Sequence, residues 1–324
     1  MPKSIRFHQT GGPEVLRLEE VEVGEPGEGQ ARVRHTAIGV NFIDTYHRTG
    51  LYPLPLPSPL GVEGAGVVEA VGKGVAHVKK GDRVAYAGGA PGSYSQVRAM
   101  PAERLVKLPD GISDQHAAGA MLKGLTVQYL SRRTYPVKAG ETVLVHAAAG
   151  GVGLIACQWL KALGATVIGT VGSDEKARLA RAHGCDHPVV YTREDFVARV
   201  KEITKGVGVP VVYDAVGKST FQGSLDCLRP RGMMVSFGNA SGAVPPVDLL
   251  QLSQRGSLFL TRPTLAHYTA NREEIEDAAR ELFEVMQSGK VKIEVTATYP
   301  LAEAARAHRD LEARKTTGSL VLLP

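Results

Sequence analysis

From the amino terminus to about Pro109, apolar and polar residues alternate in short runs separated by glycine and proline clusters. A period of two is the pattern of half-buried strands, and it predicts strands at Ser4–His8, Val15–Val21, Gln30–Ile38, Gly64–Val71, Asp82–Ala87 and Ser95–Ala99. Short strands between frequent turns point to a β-rich domain. Beyond about Gln115 the period changes. Apolar runs at Thr142–Ala147, Ala165–Val171, Val209–Ala215, Met233–Phe237 and Leu258–Thr261 alternate with helix-like segments, the order that builds a doubly wound parallel sheet. Ile275, Ala278, Ala279, Leu282, Val285 and Met286 then recur at helical spacing, with Gly289 placed to end the helix. The helix-like Leu301–Leu311 and the apolar Ser319–Leu323 follow, and the last run is expected to return to the first domain. The fold class is therefore α/β. Residues 1–123 form a β-rich domain, 124–263 a wound α/β domain, and 264–324 close back on the first.

The run from Val143 to Ala147, with Ala148-Ala149-Gly150-Gly151-Val152-Gly153 and then Leu154 to Leu163, reads as a strand, a glycine turn and a helix. On the dinucleotide fingerprint, Ala148 replaces the first glycine, and Gly150 and Gly153 match the second and third. The second glycine lets backbone approach a pyrophosphate and the third lets helix and strand pack closely. The helix N-terminus then offers N–H groups and partial positive charge to the phosphates. A lone glycine turn is also compatible with a purely structural role; the second strand, Ala165–Val171, at βαβ spacing favours the nucleotide site. NAD-selective sites carry an acidic residue at the end of that second strand. Here Gly172 and Ser173 stand there, with Lys176 one helical turn on, a pattern that favours NADPH. Asp174 argues the other way if a loop shift brings it to the ribose, and a solvated lysine on a helix face is the alternative for Lys176.

Length and composition fit this picture: 324 residues suit two domains, and 43% hydrophobic and 22% charged residues are globular values without low-complexity tracts. Three scattered cysteines, Cys157, Cys185 and Cys227, without CxxC spacing, argue against a disulfide framework and point to a reducing, cytoplasmic setting. A net charge of +5 raises the question of nucleic acid, but Lys and Arg are dispersed among Glu and Asp, as on an ordinary solvated surface. The uncharged Thr142–Leu160 has Gly150, Gly151 and Gly153 at its middle, which suits a strand, turn and buried helix rather than a membrane span. Lys3 and Arg6 are not followed by an apolar run, so neither a secretory signal nor a membrane anchor is expected.

The stretches Ala37–Tyr46, Leu122–Val127, the glycine run, Val212–Gly217 and Met234–Asn239 together resemble the zeta-crystallin-type quinone oxidoreductases of the medium-chain dehydrogenase/reductase superfamily, its bacterial members especially. The resemblance implies a Rossmann doubly wound sheet plus a GroES-like β-rich catalytic domain, and an NADPH:quinone reductase acting as a cytoplasmic homodimer that pairs an edge strand near Leu258–Thr261. It implies that Asn41 to Tyr46 and Thr126 line the nicotinamide end and that Tyr52 joins Tyr46 at the acceptor. By the same resemblance Lys176, Tyr191 and Arg314 hold the 2′-phosphate, and Val216, Gly217, Phe237, Gly238 and Asn239 follow the cofactor beside Gly150, Gly151, Val152, Gly153, Gly172 and Ser173. The expected catalytic set is Asn41, Asp44, Tyr46, Tyr52 and Thr126. Each has a plainer reading: local cap or turn bonding for Asn41, Asp44 and Thr126, packing for the tyrosines, solvated charge for Arg314, and a satisfied core position for His146.

The superfamily's alcohol dehydrogenases hold zinc through Cys and His. Here Gly61-Val62-Glu63 replaces their Gly-His-Glu, and no cysteine precedes residue 157, so no metal is expected and Glu63 reads as structural. Without a Lewis acid, reduction of an already electrophilic acceptor is favoured over alcohol oxidation. A quinone is the first expectation and an enone or enal the alternative. An RNA-binding or crystallin-like nucleotide-binding protein is a third reading, opposed by the dispersed charge.

Overall fold

In the computed structural model, which describes residues 1–324, the amino-terminal alternation forms eight strands. They are β1 (Lys3–Phe7), β2 (Arg17–Glu20), β3 (Gln30–Val40), β4 (Ser58–Pro59), β5 (Glu63–Val71), β6 (Arg83–Ala87), β7 (Val97–Pro101) and β8 (Val106–Lys107). The expected strand at Val15–Val21 is shorter, because Pro13–Val15 turns as a 3-10 helix that buries Val15. The period-two reading passed over a helix, α1 (Phe42–Thr49), which starts where β3 ends at Val40 and stops at Gly50, whose φ of 83° suits only glycine well.

A second helix, α2 (Asp114–Tyr129), leads into the wound region. There follow β9 (Thr142–Val145), α3 (Gly151–Ala162), β10 (Thr166–Val171), α4 (Asp174–Ala182), β11 (His187–Val190), α5 (Phe196–Ile203), β12 (Val209–Asp214), α6 (Phe221–Asp226), β13 (Leu228–Ser236) and β14 (Phe259–Thr261). These strands form a six-stranded sheet of order β11-β10-β9-β12-β13-β14, with every neighbouring pair parallel. The order reverses between β9 and β12, so the carboxyl ends of these two strands mark the switch point where open α/β sheets bind ligands. The sheet's apolar residues, Leu144, Ile168, Val189, Val212 and Met234 among them, share a core with Phe221 and Leu225 of α6.

The helix at Arg272–Gln287 buries Ile275, Ala278, Ala279, Leu282 and Phe283 on one face, and Gly289 lies beyond it at φ 71°. The chain ends with β15 (Val295–Pro300), the helix Ala304–Glu312 and β16 (Ser319–Leu323). β16 pairs antiparallel with β3, which places the carboxyl-terminal strand inside the amino-terminal sheet, of order β15-β16-β3-β5-β6-β8 with β7 also on β3. Two compact units result: Met1–Leu125 with Tyr268–Gln287 and Ile293–Pro324, and Thr126–His267 with Ser288–Lys292. The chain passes from the first to the second inside α2, so no loop marks the transition, and the expected division after residue 123 falls two residues earlier. This is the Rossmann sheet and GroES-like β-rich pairing expected from the sequence.

Candidate functional site

In the Rossmann unit the glycine turn leaves the carboxyl end of β9 and enters α3. Ala147 takes a left-handed conformation at φ 55°, and Gly150 is extended as the residue before the helix. Gly150 N donates to Ala147 O at 2.9 Å, Leu154 N to Gly150 O at 2.9 Å, and Ala148 N to Thr170 O at 3.0 Å. A Cβ on Gly153 would stand 2.2 Å from Ala147 O, so the third glycine is required chiefly by the turn's own carbonyl, more than by helix-to-strand packing. Gly169 on β10 has no Cβ, and one there would meet the Ala148 Cβ at 2.6 Å. That vacancy is what lets alanine occupy the first glycine position. The first turn of α3, Gly151-Val152-Gly153, has its N–H groups outside the helical ladder, as an anion site needs.

The second strand end, after β12, is organised by Asp214, which is fully buried. Its Oδ1 accepts from Val216 N at 2.7 Å and Gly217 N at 2.9 Å, and its Oδ2 accepts from Thr220 Oγ1 at 2.7 Å and Ser224 Oγ at 2.9 Å. Ser224 gives its proton to that carboxylate, so its oxygen accepts from His146 Nε2 at 2.9 Å. His146 Nδ1 is then the acceptor for Thr170 Oγ1 at 2.8 Å, and Thr170 Oγ1 accepts in turn from Ala147 N at 3.4 Å. Burial lowers the His146 pKa, which keeps the ring neutral and this one-way chain intact. His146 is the satisfied core histidine expected, and it links the glycine turn to the Val216–Gly217 loop. Phe237 N donates to Asp214 O at 2.8 Å, which brings Phe237, Gly238 and Asn239 to the same strand ends. A Cβ on Gly238 would lie 2.4 Å from Ala215 O.

At the end of β10, Ser173 caps α4 by accepting from Lys176 N at 3.3 Å. Tyr191 Oη lies 2.9 Å from where a Cβ on Gly172 would stand, so Tyr191 and Gly172 are neighbours beside the Ser173 cap. Asp174, which the sequence left open as a ribose neighbour, follows Ser173 as the first residue of α4. Both of its oxygens are paired to Arg193 at 2.6 Å. Thr126 lies in α2 and is 9% exposed.

In the other unit, Asn41 precedes α1 and donates through Nδ2 to Glu63 Oε2 at 2.7 Å. Glu63 is wholly buried and also accepts from Leu122 N at 2.6 Å and Lys123 Nζ at 3.2 Å, which makes it a structural carboxylate. Asp44 had been expected among the catalytic residues. It is 0% exposed, and its Oδ2 accepts from Asn41 N at 2.8 Å and Tyr94 Oη at 2.9 Å, so it caps α1. Arg48 Nη1 faces His308 Nδ1 at 3.0 Å, so His308 Nε2 carries the proton and donates to Tyr94 Oη at 3.1 Å. Arg48 is itself held by Glu312 at 2.6 and 3.0 Å. Burial pushes the Asp44 carboxyl up to about 7, against those two donors, which favour the charged form. Burial and then Arg48 lower His308 to about 3. Tyr46 and Tyr52 are half-buried with ring centroids 5.2 Å apart, edge to face. Arg314 is exposed after the last helix, with φ 56°.

Asp214, Thr170, Ser224, Gly169 and Arg193 escaped the sequence reading as site residues. Only Asp214 left a local signal, an Asp two and three residues before the N–H groups it binds, at a strand end.

Residues 27–110 match the family "Alcohol dehydrogenase GroES-like domain" and residues 151–284 match "Zinc-binding dehydrogenase". Zinc prefers thiolate and imidazole donors. The residues present do not fit it: the three cysteines are buried in the Rossmann unit, Glu63 is neutralised by Lys123, and no three His, Cys, Asp or Glu residues stand together for a metal. The chain is 58% identical to the quinone oxidoreductase of Pseudomonas aeruginosa over 100% of both chains, and 52% identical to the 2-haloacrylate reductase of a Burkholderia species over 98% of both. A solved structure of Escherichia coli quinone oxidoreductase complexed with NADPH superposes with a TM-score of 0.98 at 54% identity, covering 99% of this chain and 100% of that one. With likeness running the full length in sequence and in fold, the chain belongs to the quinone oxidoreductase family of the medium-chain dehydrogenase/reductase superfamily.

Proposed function

We propose that this protein is a zinc-independent NADPH:quinone oxidoreductase. The observation that carries the reading is the full-length match, in sequence and fold, to a quinone oxidoreductase solved with NADPH. The Rossmann unit fits that cofactor: Gly150, Gly151, Val152 and Gly153 lead into the amino end of α3, where the first N–H groups lie outside the helical ladder, and Gly153 lets the turn close against Ala147 O. NADPH, when bound, supplies the hydride. The protein binds and orients. The α3 N–H groups neutralise the pyrophosphate, Asp214 holds Val216 and Gly217 in place, and Phe237, Gly238 and Asn239 continue along the same strand ends. Ser173, Lys176 and Tyr191 stand together at the end of β10, and we assign them to the 2′-phosphate. Family resemblance assigns Arg314 to the same group, Asn41 and Thr126 to the nicotinamide, and Tyr46 and Tyr52 to the acceptor ring.

A second reading, reduction of an activated double bond, is favoured by the likeness to a 2-haloacrylate reductase. Following NADPH absorbance with a quinone, with an enone, and with NADP plus a simple alcohol separates them. Fast turnover with the quinone is expected; turnover with the enone alone selects the second reading, and turnover with the alcohol alone overturns both. We further infer a cytoplasmic homodimer. No helix is long and apolar enough to cross a membrane, the thiols are unpaired, and Phe259, 58% exposed, lies on the edge strand β14. Gel filtration at a monomer's volume would remove the dimer.

A further inference from the structure

A carboxylate about twenty residues beyond the glycine turn, at the end of the second strand, accepts from the ribose 2′-hydroxyl in NADH-selective sites and repels a 2′-phosphate. Asp174 occupies that neighbourhood as the first residue of α4, directly after Gly172 and Ser173. Its presence conflicts with NADPH unless something cancels its charge.

Arg193 does so. Its Nη1 donates to Asp174 Oδ2 and its Nη2 to Asp174 Oδ1, each at 2.6 Å, a fork-to-fork pair that engages both oxygens. Arg193 comes from the loop after β11, and other contacts fasten this loop to the 172–174 turn. Tyr191 N donates to Val171 O at 3.1 Å, Thr192 Oγ1 donates to Gly172 O at 3.4 Å, and Tyr191 packs over Gly172. The loop is closed on itself by Arg193 N and Glu194 N, both donating to Val190 O at 3.0 Å, and by Val190 N donating to Glu194 Oε1 at 2.9 Å. The fold therefore delivers Arg193 to this place by backbone contacts as well as by the ion pair. Arg178, one turn along α4, acts on Asp174 with the same sign. Both partners of the pair are 58% exposed, so the pair contributes little to folding. Its consequence is for the local field beside Ser173, Lys176 and Tyr191.

We propose that Arg193 is a specificity-determining residue: by engaging Asp174 it removes the carboxylate that would select against a 2′-phosphate, and so it keeps this site for NADPH. The proposal rests on the NADPH reading given above. Equilibrium titration of the wild type, Arg193→Ala, Arg193→Glu, Asp174→Ala and the Arg193→Ala/Asp174→Ala double variant with NADPH and with NADH tests it. The wild-type ratio of the two affinities tests the NADPH reading alone: no preference for NADPH sinks that reading whatever the variants do. Given that preference, Arg193→Ala is expected to weaken NADPH by about tenfold, the size of one like-charge contact near a protein surface, and Arg193→Glu by more. NADH affinity should change by less than about threefold, and the NADPH loss should shrink at about 0.5 M salt. Removing Asp174 as well should restore most of the NADPH affinity. An equal NADPH loss with and without Asp174 overturns the proposal, because Arg193 would then act on the phosphate directly. Unchanged affinities in Arg193→Ala and Arg193→Glu, or equal losses for NADPH and NADH, overturn it too.

Discussion

Asp44→Asn is expected to make the protein more stable relative to wild type at pH 8 than at pH 5. The Asp44 carboxyl is fully buried, and its pKa stands at about 7 against an ordinary 3.8. A raised pKa in an acid means that the folded state keeps a proton which the unfolded state has released. Stability from this group is therefore complete below pH 3.8 and is lost as pH rises through about 7. The displacement corresponds to about 4 kcal/mol over the whole window, of which about 2–3 kcal/mol falls between pH 5 and pH 8. Asparagine keeps an oxygen for the Asn41 N and Tyr94 Oη donors and removes the charge. Its amide nitrogen takes the place of Oδ1, which has no hydrogen-bond partner, and that costs about 1–3 kcal/mol at every pH. The variant should thus lie within about 1 kcal/mol of wild type at pH 5 and exceed it at pH 8 by about 1–3 kcal/mol. Urea unfolding of both proteins at pH 5, 6, 7 and 8 measures the difference. A gap that stays constant from pH 5 to pH 8 would refute the reasoning, since it would mean that Asp44 ionises in the folded protein as it does in the unfolded chain.

Three other outcomes follow from the geometry. Gly153→Ala brings a Cβ to 2.2 Å from Ala147 O and must displace the turn, so NADPH affinity should fall by about tenfold or more in a titration, with a lower melting temperature. Thr170→Val removes the partner of both His146 Nδ1 and Ala147 N, and should cost about 1–3 kcal/mol in urea unfolding, whereas Thr170→Ser should recover most of it. Lys123→Met leaves the Glu63 carboxylate buried without its cation and should cost about 3–5 kcal/mol. Adding Glu63→Gln to that variant should restore much of the loss, and no recovery would show that the ion pair is not the reason.

The strands were legible because burial of one sheet face or both writes an apolar pattern into consecutive residues, and the six-stranded sheet was legible because strand and helix alternate in order. Helix α1 was not, since it is set by where β3 stops and by Gly50 at its end, not by a long apolar stripe. The glycine turn could be placed from spacing, but its detail could not. That alanine is admitted at position 148 depends on Gly169, a residue of the neighbouring strand.

The sequence located the glycine turn between β9 and α3, because it depends on residue types at fixed local spacing, whereas the partners of His146 lie 24 and 78 residues away. It left open whether Asp44 caps α1 or meets the reactants, since the Tyr94 contact joins positions fifty residues apart, and it left Asp174 ambiguous. The charge on Asp174 is written in the sequence, but its neutralisation by Arg193 exists only once β10 and β11 lie side by side and bring their following loops together. The sequence by itself determined the domain types and the cofactor class. Only the tertiary structure decided which charged side chains are caps and which are pairs, because the field at a residue is fixed by neighbours in space, not in the chain.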